Sequence, residues 1–235
     1  MSREVSMDLR WYAWLTVLFP VAAVHLAYLA SITQGSVEAC IPYWDGCTSI
    51  SRAGRHGLAN LLFKGLMLPH AAQLMGFWLL SWAWLRKLRP DADRRTHGVL
   101  ALGVIAAAFL VLYASFLGAE GETYRWLRRY GINVFFSFSV LAQMLVIALL
   151  TPVPVLGAGL RTAMLSFAAA LLLLGLASLP LRHFAGGADH AMNALEWIYA
   201  LLMAIFYGLI GIAWGVTGYR LEASTATGTS GSKPL

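Results

Sequence analysis

Charge is scarce in this chain: Lys, Arg, Asp and Glu make up 12% of its 235 residues, against 59% hydrophobic. So thin a polar coat excludes an ordinary soluble domain, where about a quarter of residues are charged. Cysteine is scarcer still, with Cys40 and Cys47 alone. That excludes a disulfide-dense secreted scaffold and a zinc site built on clustered cysteines. No internal repeat is evident. The polar opening from Met1 to Arg10 lacks the small-residue cleavage pattern of a signal peptide, and the apolar run behind it is full length. The net charge of +6 requires no nucleic acid, because basic residues facing a membrane account for it.

What is present is apolar sequence in long runs. Mean hydropathy is +0.68, and several runs approach 20 residues, the length that crosses roughly 30 Å of hydrocarbon. The fold class expected is all-α: a polytopic membrane protein with six transmembrane helices at about 11–31, 58–85, 98–118, 131–151, 162–181 and 191–218. Residues 1–222 read as a single six-helix domain and 223–235, rich in Ser, Thr and Gly, as a disordered tail. Thr151-Pro152-Val153-Pro154 and Gly157-Ala158-Gly159 mark a tight turn between the fourth and fifth helices.

Loop charge sets the expected orientation. Arg86, Lys87, Arg89, Arg94 and Arg95 between the second and third helices mark that segment as cytoplasmic. Both termini are then cytoplasmic, and the first loop is extracytoplasmic, which in a bacterium means outside the inner membrane. Trp11, Trp14, Trp78, Trp82, Trp84 and Trp214 read as an interfacial belt at the cytoplasmic face. Against the positive-inside trend, Arg52, Arg55, Lys64, Arg125, Arg128, Arg129 and Arg182 fall on the other side. Interfacial snorkelling explains them. So does a mouth that collects phosphate, for which the arginine fork is suited. Arg52, Arg55, Arg125, Arg128 and Arg129 are the candidate head-group ligands.

The chemistry concentrates in residues 40–73. Cys40 and Cys47 lie in the external loop, where a disulfide is expected. His56, Asn60 and Lys64 follow at i, i+4 and i+8, on one helical face. A lysine in an apolar run is costly without a partner. The sixth helix offers one: Asp189, Asn193 and Glu196 form a stripe, with Glu196 at a depth comparable to Lys64. The expectation is a Lys64–Glu196 pair flooring an outward-facing polar pocket between the second, fourth and sixth helices. Asn60, His70, Asn193 and Asp189 belong to it, and Asn133, Ser137 and Gln143 stand in reach. The competing reading is a purely architectural ion pair.

The histidines admit several roles. His25 follows Pro20 and His70 follows Pro69, so either satisfies carbonyls freed by a kink. Two mid-depth histidines could instead be axial haem ligands. His56, His70, His183, His190 and Asp189 together could hold zinc if their segments converged. Neither a metal nor a cofactor is the expectation. If chemistry occurs, His56 or His190 is the natural general base and Ser49 or Ser51 the nucleophile, which would make the chain a lipid acyl hydrolase or acyltransferase.

Ile41-Pro42-Tyr43-Trp44 and then Ser49-Ile50-Ser51, in the first external loop of a six-helix chain with both ends inside, resemble the DRAM-type family. That family joins damage-regulated autophagy modulators, relatives linked to phospholipid handling, and GPI-anchor lipid-remodelling membrane proteins. The matching positions are Pro42, Tyr43, Ser49, Ile50 and Ser51; Asp45-Gly46-Cys47 is inserted between the two halves. The resemblance implies lipid handling at the outer leaflet, with acyl remodelling among its forms, and transfers no catalytic motif. The partner expected is a membrane lipid with an anionic head group. The alternatives are a regulator that holds another membrane protein and a metal- or haem-binding membrane protein.

Overall fold

The computed structural model describes residues 5–184 and 189–223, with side chains over 6–178 and 189–222. Its helices are α1 (Arg10–Thr33), a one-turn α2 (Ile50–Ala53), α3 (Gly57–Leu88), α4 (Asp93–Phe116), α5 (Glu122–Leu150), α6 (Gly157–Phe184) and α7 (Asp189–Val216). Two short strands, β1 (Val5–Asp8) and β2 (Arg220–Ala223), pair antiparallel. Six helices therefore run 24 residues or more, at the expected places. Five helical segments are long and apolar enough to cross a membrane: Arg10–Thr33, Pro90–Phe116, Glu122–Leu150, Pro154–Ser178 and Asp189–Val216. The longest helix, α3, is outside that set; Asn60, Lys64, His70 and Gln73 interrupt its apolar run.

Boundaries shift where charge does not stop a helix. α5 begins at Glu122, nine residues ahead of the expected start, so the basic-aromatic segment 124–131 is helical throughout. The turn between α5 and α6 is as expected: a 3-10 turn at Pro154–Leu156, with Gly157 at φ 70 supplying the left-handed residue.

In space the helices follow the order α6, α7, α1, α3, α4, α5. Each packs on its neighbour, but α5 meets α6 only sparingly, so the ring has a seam. The core is aromatic. Phe77, Trp78, Phe206, Tyr207 and Trp214 pack edge-to-face, tilted and, for Trp78 on Phe206, stacked, with centroids 5.0–6.4 Å apart. This corrects the interfacial belt. Trp11 and Trp14 are exposed and Trp82 half-buried, but Trp78, Trp84 and Trp214 are core residues. Ring area is worth most where neighbouring helices can cover it, and Gly103 on α4 leaves room for the Trp78 ring.

At one end the chain termini meet. β1 pairs with β2, the Leu9 amide donates to the Tyr219 carbonyl, Tyr219 Oη donates to Leu80 O at 3.1 Å, and Trp84 Nε1 donates to Thr217 Oγ1 at 3.0 Å. The polar opening is thus partly a strand, a pairing invisible without its partner. The α3–α4 turn lies at the same end. There Arg89 grips Asp91 at 2.6 Å and holds its carboxyl below the usual carboxylate range, while its other nitrogen donates to Leu149 O on α5. The first loop lies at the opposite end, against the start of α7.

Candidate functional site

The first loop is fixed from three directions. Cys40 and Cys47 form the expected disulfide, with Cα atoms 6.5 Å apart. Tyr28 on α1 bonds both the carbonyl and the amide of Cys40, at 2.8 and 2.9 Å. Three residues of α7 donate to loop carbonyls: His190 Nδ1 to Asp45 O at 2.9 Å, Asn193 Nδ2 to Gly46 O at 2.9 Å, and Trp197 Nε1 to Thr48 O at 2.9 Å. At i, i+3 and i+7 these share one face, so the polar stripe of α7 is the seat of this loop. Gly46 makes the seat close: it sits at φ 59, and a Cβ there would strike the His190 backbone carbonyl.

Inside the loop, Tyr43 reaches down. Its hydroxyl donates to His25 Nε2 at 3.0 Å, and His25 Nδ1 donates to Val21 O at 2.7 Å, the carbonyl one turn behind. Burial pushes the Tyr43 phenol up from its ordinary range, so it stays a donor. Trp197 lies edge-on to His25, Tyr28 and Tyr43, with centroids 5.6–5.7 Å apart. The Glu196 carboxyl lies against the backbone amides of Ser51 and Ile50 at the start of α2, with the Arg52 charge beside it.

Beneath this roof is a cavity, about 740 Å³ of space between atoms when its opening to solvent is counted in. Its walls come from α1, α3, α4, α5 and α7 and are mostly apolar: Val24, Phe63, Met67, Leu110, Phe135 and Met203 among them. Polar groups mark its two ends. His25, Tyr43 and Glu196 stand at the loop end; His70 and Tyr207 lie deeper. Next to it, at the seam between α5 and the α6–α7 pair, is an open groove of mixed lining, where Ser51, Asn133, Ser178, Asn193, Glu196 and Tyr199 alternate with Leu174, Met192 and Leu195. Tyr113, Ile132, Phe136 and Glu196 border both spaces.

The expected site residues separate on this frame. Glu196, Asn193 and Ser51 line the groove, and His70 and Glu196 the cavity. Lys64 lines neither, and among the described residues no ion pair joins it to Glu196. The expected pair is therefore corrected: helical period placed both on polar stripes, but Glu196 turns to the α2 amides instead. Asn60 is also committed, donating to Gly54 O at 2.9 Å and Leu117 O at 3.0 Å, which ties the α2–α3 turn to the end of α4. The pocket is also broader and less polar than expected, since α1 and α4 contribute walls as well.

The catalytic candidates do not assemble among the described residues. Ser49 Oγ lies 3.2 Å from Ser51 Oγ and caps α2 by accepting from the Arg52 amide at 3.1 Å. Neither His56 nor His190 bonds either serine: His56 is exposed ahead of α3, and His190 serves the loop. Asp189 is exposed at the start of α7. Among the described residues no three His, Cys, Asp or Glu side chains group as metal ligands. The side chain of His183 lies outside the described residues. His25, offered as an axial haem ligand, has both ring nitrogens engaged.

The arginines divide likewise. Arg125 and Arg129 are exposed, and Arg128 donates to the Phe116 carbonyl at the end of α4 and to the Ala119 carbonyl in the loop after it. Arg52 is exposed beside Glu196, while half-buried Arg55 has an enclosed, unpartnered Nε and a charge that reaches Tyr113.

Comparison with known proteins places this arrangement. The family model described as Frag1/DRAM/Sfk1/Cwh43P N-terminal domain matches residues 9–212. The chain belongs to this family. The match runs from the foot of β1 almost to the end of α7, and so takes in the loop, its seat and both spaces. No curated protein and no solved structure matches the chain. The sequence signal missed was His25 with Tyr43. Each was visible, one behind a proline and one in the loop motif, but nothing in the sequence joins residues 18 positions apart across a loop.

Proposed function

We propose that this Frag1/DRAM-family protein crosses the membrane six times with both termini in the cytoplasm, and binds a phospholipid or glycolipid of the outer leaflet. One chain lies in the apolar cavity. The head group sits at the Glu196 junction under the extracytoplasmic loop, with Arg52 and Arg55 close enough to meet an anionic phosphate. The observation that carries this reading is the juxtaposition of a deep apolar cavity and a groove richer in polar groups, with a shared wall, at a seam in the helix ring. Lipids need both environments side by side. The uncombined serines and histidines favour holding the lipid over remodelling it.

The test is to fill the cavity. Ala200→Phe places a ring in it from α7 without touching the loop contacts. Wild-type protein purified into nanodiscs of defined lipid should retain a lipid from the expression host, seen by mass spectrometry, and the variant should lose most of it. Equal retention by a folded variant would refute the reading. One feature favours the regulator alternative: Trp44 and Ile41 stand 86% and 64% exposed at the loop tip. If Trp44→Ser and Ile41→Ser abolish function in cells and leave lipid retention intact, a protein partner is the better reading.

A further inference from the structure

His70 lies on the cavity wall and is 1% exposed, yet its Nδ1 has no hydrogen-bond partner. Gln73, one turn on, lies beside the ring; its amide nitrogen donates to Tyr12 O, and its Oε1, facing the His70 side of that turn, is likewise without a partner at hydrogen-bond geometry. Tyr207 faces the same space from α7, its ring centroid 6.5 Å from that of His70. The Gln143 amide stands behind the Tyr207 hydroxyl, its Oε1 also without a partner. Orphaned polar groups at this depth are costly, since neither lipid nor apolar wall can satisfy them. A plain hydrocarbon chain in the cavity would leave them orphaned.

The cavity thus has polar ends and an apolar middle. Glu196 at the loop end and Tyr207 at the deep end share a face of α7, eleven positions apart, a rise of roughly 16 Å at ~1.5 Å per residue. Between them the lining is Met67, Leu110, Ala200 and Met203. We propose that the ligand is an amphiphile with a second hydrogen-bonding oxygen on its buried end, received by His70 and Tyr207. Its chemical class is an oxygenated long chain, a hydroxyl or carbonyl roughly 16 Å from the head. The inference rests on the lipid-binding reading and narrows its ligand. His70 supplies a donor or an acceptor according to its tautomer, and the phenol supplies the other. A hydroxyl can use both at once.

Length-matched probes test it. Alkanols of the dodecyl to hexadecyl series and the matching α,ω-diols are titrated into nanodisc-embedded full-length protein, and binding is followed by displacement of the retained lipid. Wild-type protein should prefer one diol over its alkanol by at least tenfold, with a length optimum. His70→Leu should bring that ratio near one. Tyr207→Phe, which keeps the ring, should lower the ratio in part and guards against a His70 variant that fails to fold. Equal binding of diol and alkanol to wild-type protein would overturn the inference, the deep polar end then holding water only, while the lipid reading survives. Failure of every probe to displace lipid, or absence of retained lipid, would overturn both.

Discussion

Replacing Gly46 by alanine separates backbone strain from close packing, because a second glycine provides the control. Gly35, just past α1, also has a left-handed φ of 65, but a Cβ there would meet nothing within 4 Å. Gly35→Ala should therefore cost only the left-handed conformation, about 1–2 kcal/mol. Gly46→Ala has the same strain and also drives a methyl group into the His190 carbonyl, a backbone atom at the start of α7. The loop must withdraw, which breaks the bonds from His190, Asn193 and Trp197. At about 0.5–1.5 kcal/mol each these add about 1.5–4.5 kcal/mol, so the total is about 2.5–6.5 kcal/mol. For a chain of this size about 2–4 °C of Tm goes with each kcal/mol. Thermal unfolding in nanodiscs, followed by tryptophan fluorescence, should show Gly46→Ala falling about 5–26 °C and Gly35→Ala about 2–8 °C. Hydrogen exchange should rise across the loop in the first variant alone. Equal losses, with the loop equally protected, would refute the seating of this loop on α7.

Other perturbations probe neighbouring parts of the same assembly. Denatured, unreduced protein should present no titratable thiol, and reduction should destabilise the native state by about 2.5 kcal/mol, the chain-entropy value for so short a loop; two thiols before reduction would exclude the bridge. Lys64→Met and Glu196→Gln should act independently, the double variant matching the sum of the singles within about 0.5 kcal/mol in thermal melts. A coupling of about 3 kcal/mol would restore an ion pair between them.

The long helices were legible because each is an apolar run bounded by charge or proline. The turn at Pro154–Leu156 was legible for the same local reason. Facing was not. α3 carries apolar residues all round, so period alone left its rotation undetermined, and Lys64 was assigned to the pocket when Phe63 and Met67 line it. The stripe on α7 was visible as a polar face, but its partners are backbone carbonyls, which every residue has and which leave no mark in a sequence. β1 escaped notice because four residues acquire strand character only through a partner at the other end of the chain. The cavity escaped for a further reason: it is a void between five helices, defined by how side chains fail to meet.

The loop and its seat are far apart in the chain, 147 residues between Gly46 and Asn193. At a synthesis rate of roughly 5–20 residues per second, the loop waits about 7–30 s on its side of the membrane before α7 exists. During that interval the loop has Tyr28, already made, and its own disulfide, but none of the three donors that later anchor it. The bridge between Cys40 and Cys47 thus has a task in time: it keeps the loop shaped for a helix not yet translated. An oxidising catalyst that arrives late would leave α7 searching for a seat that has not formed.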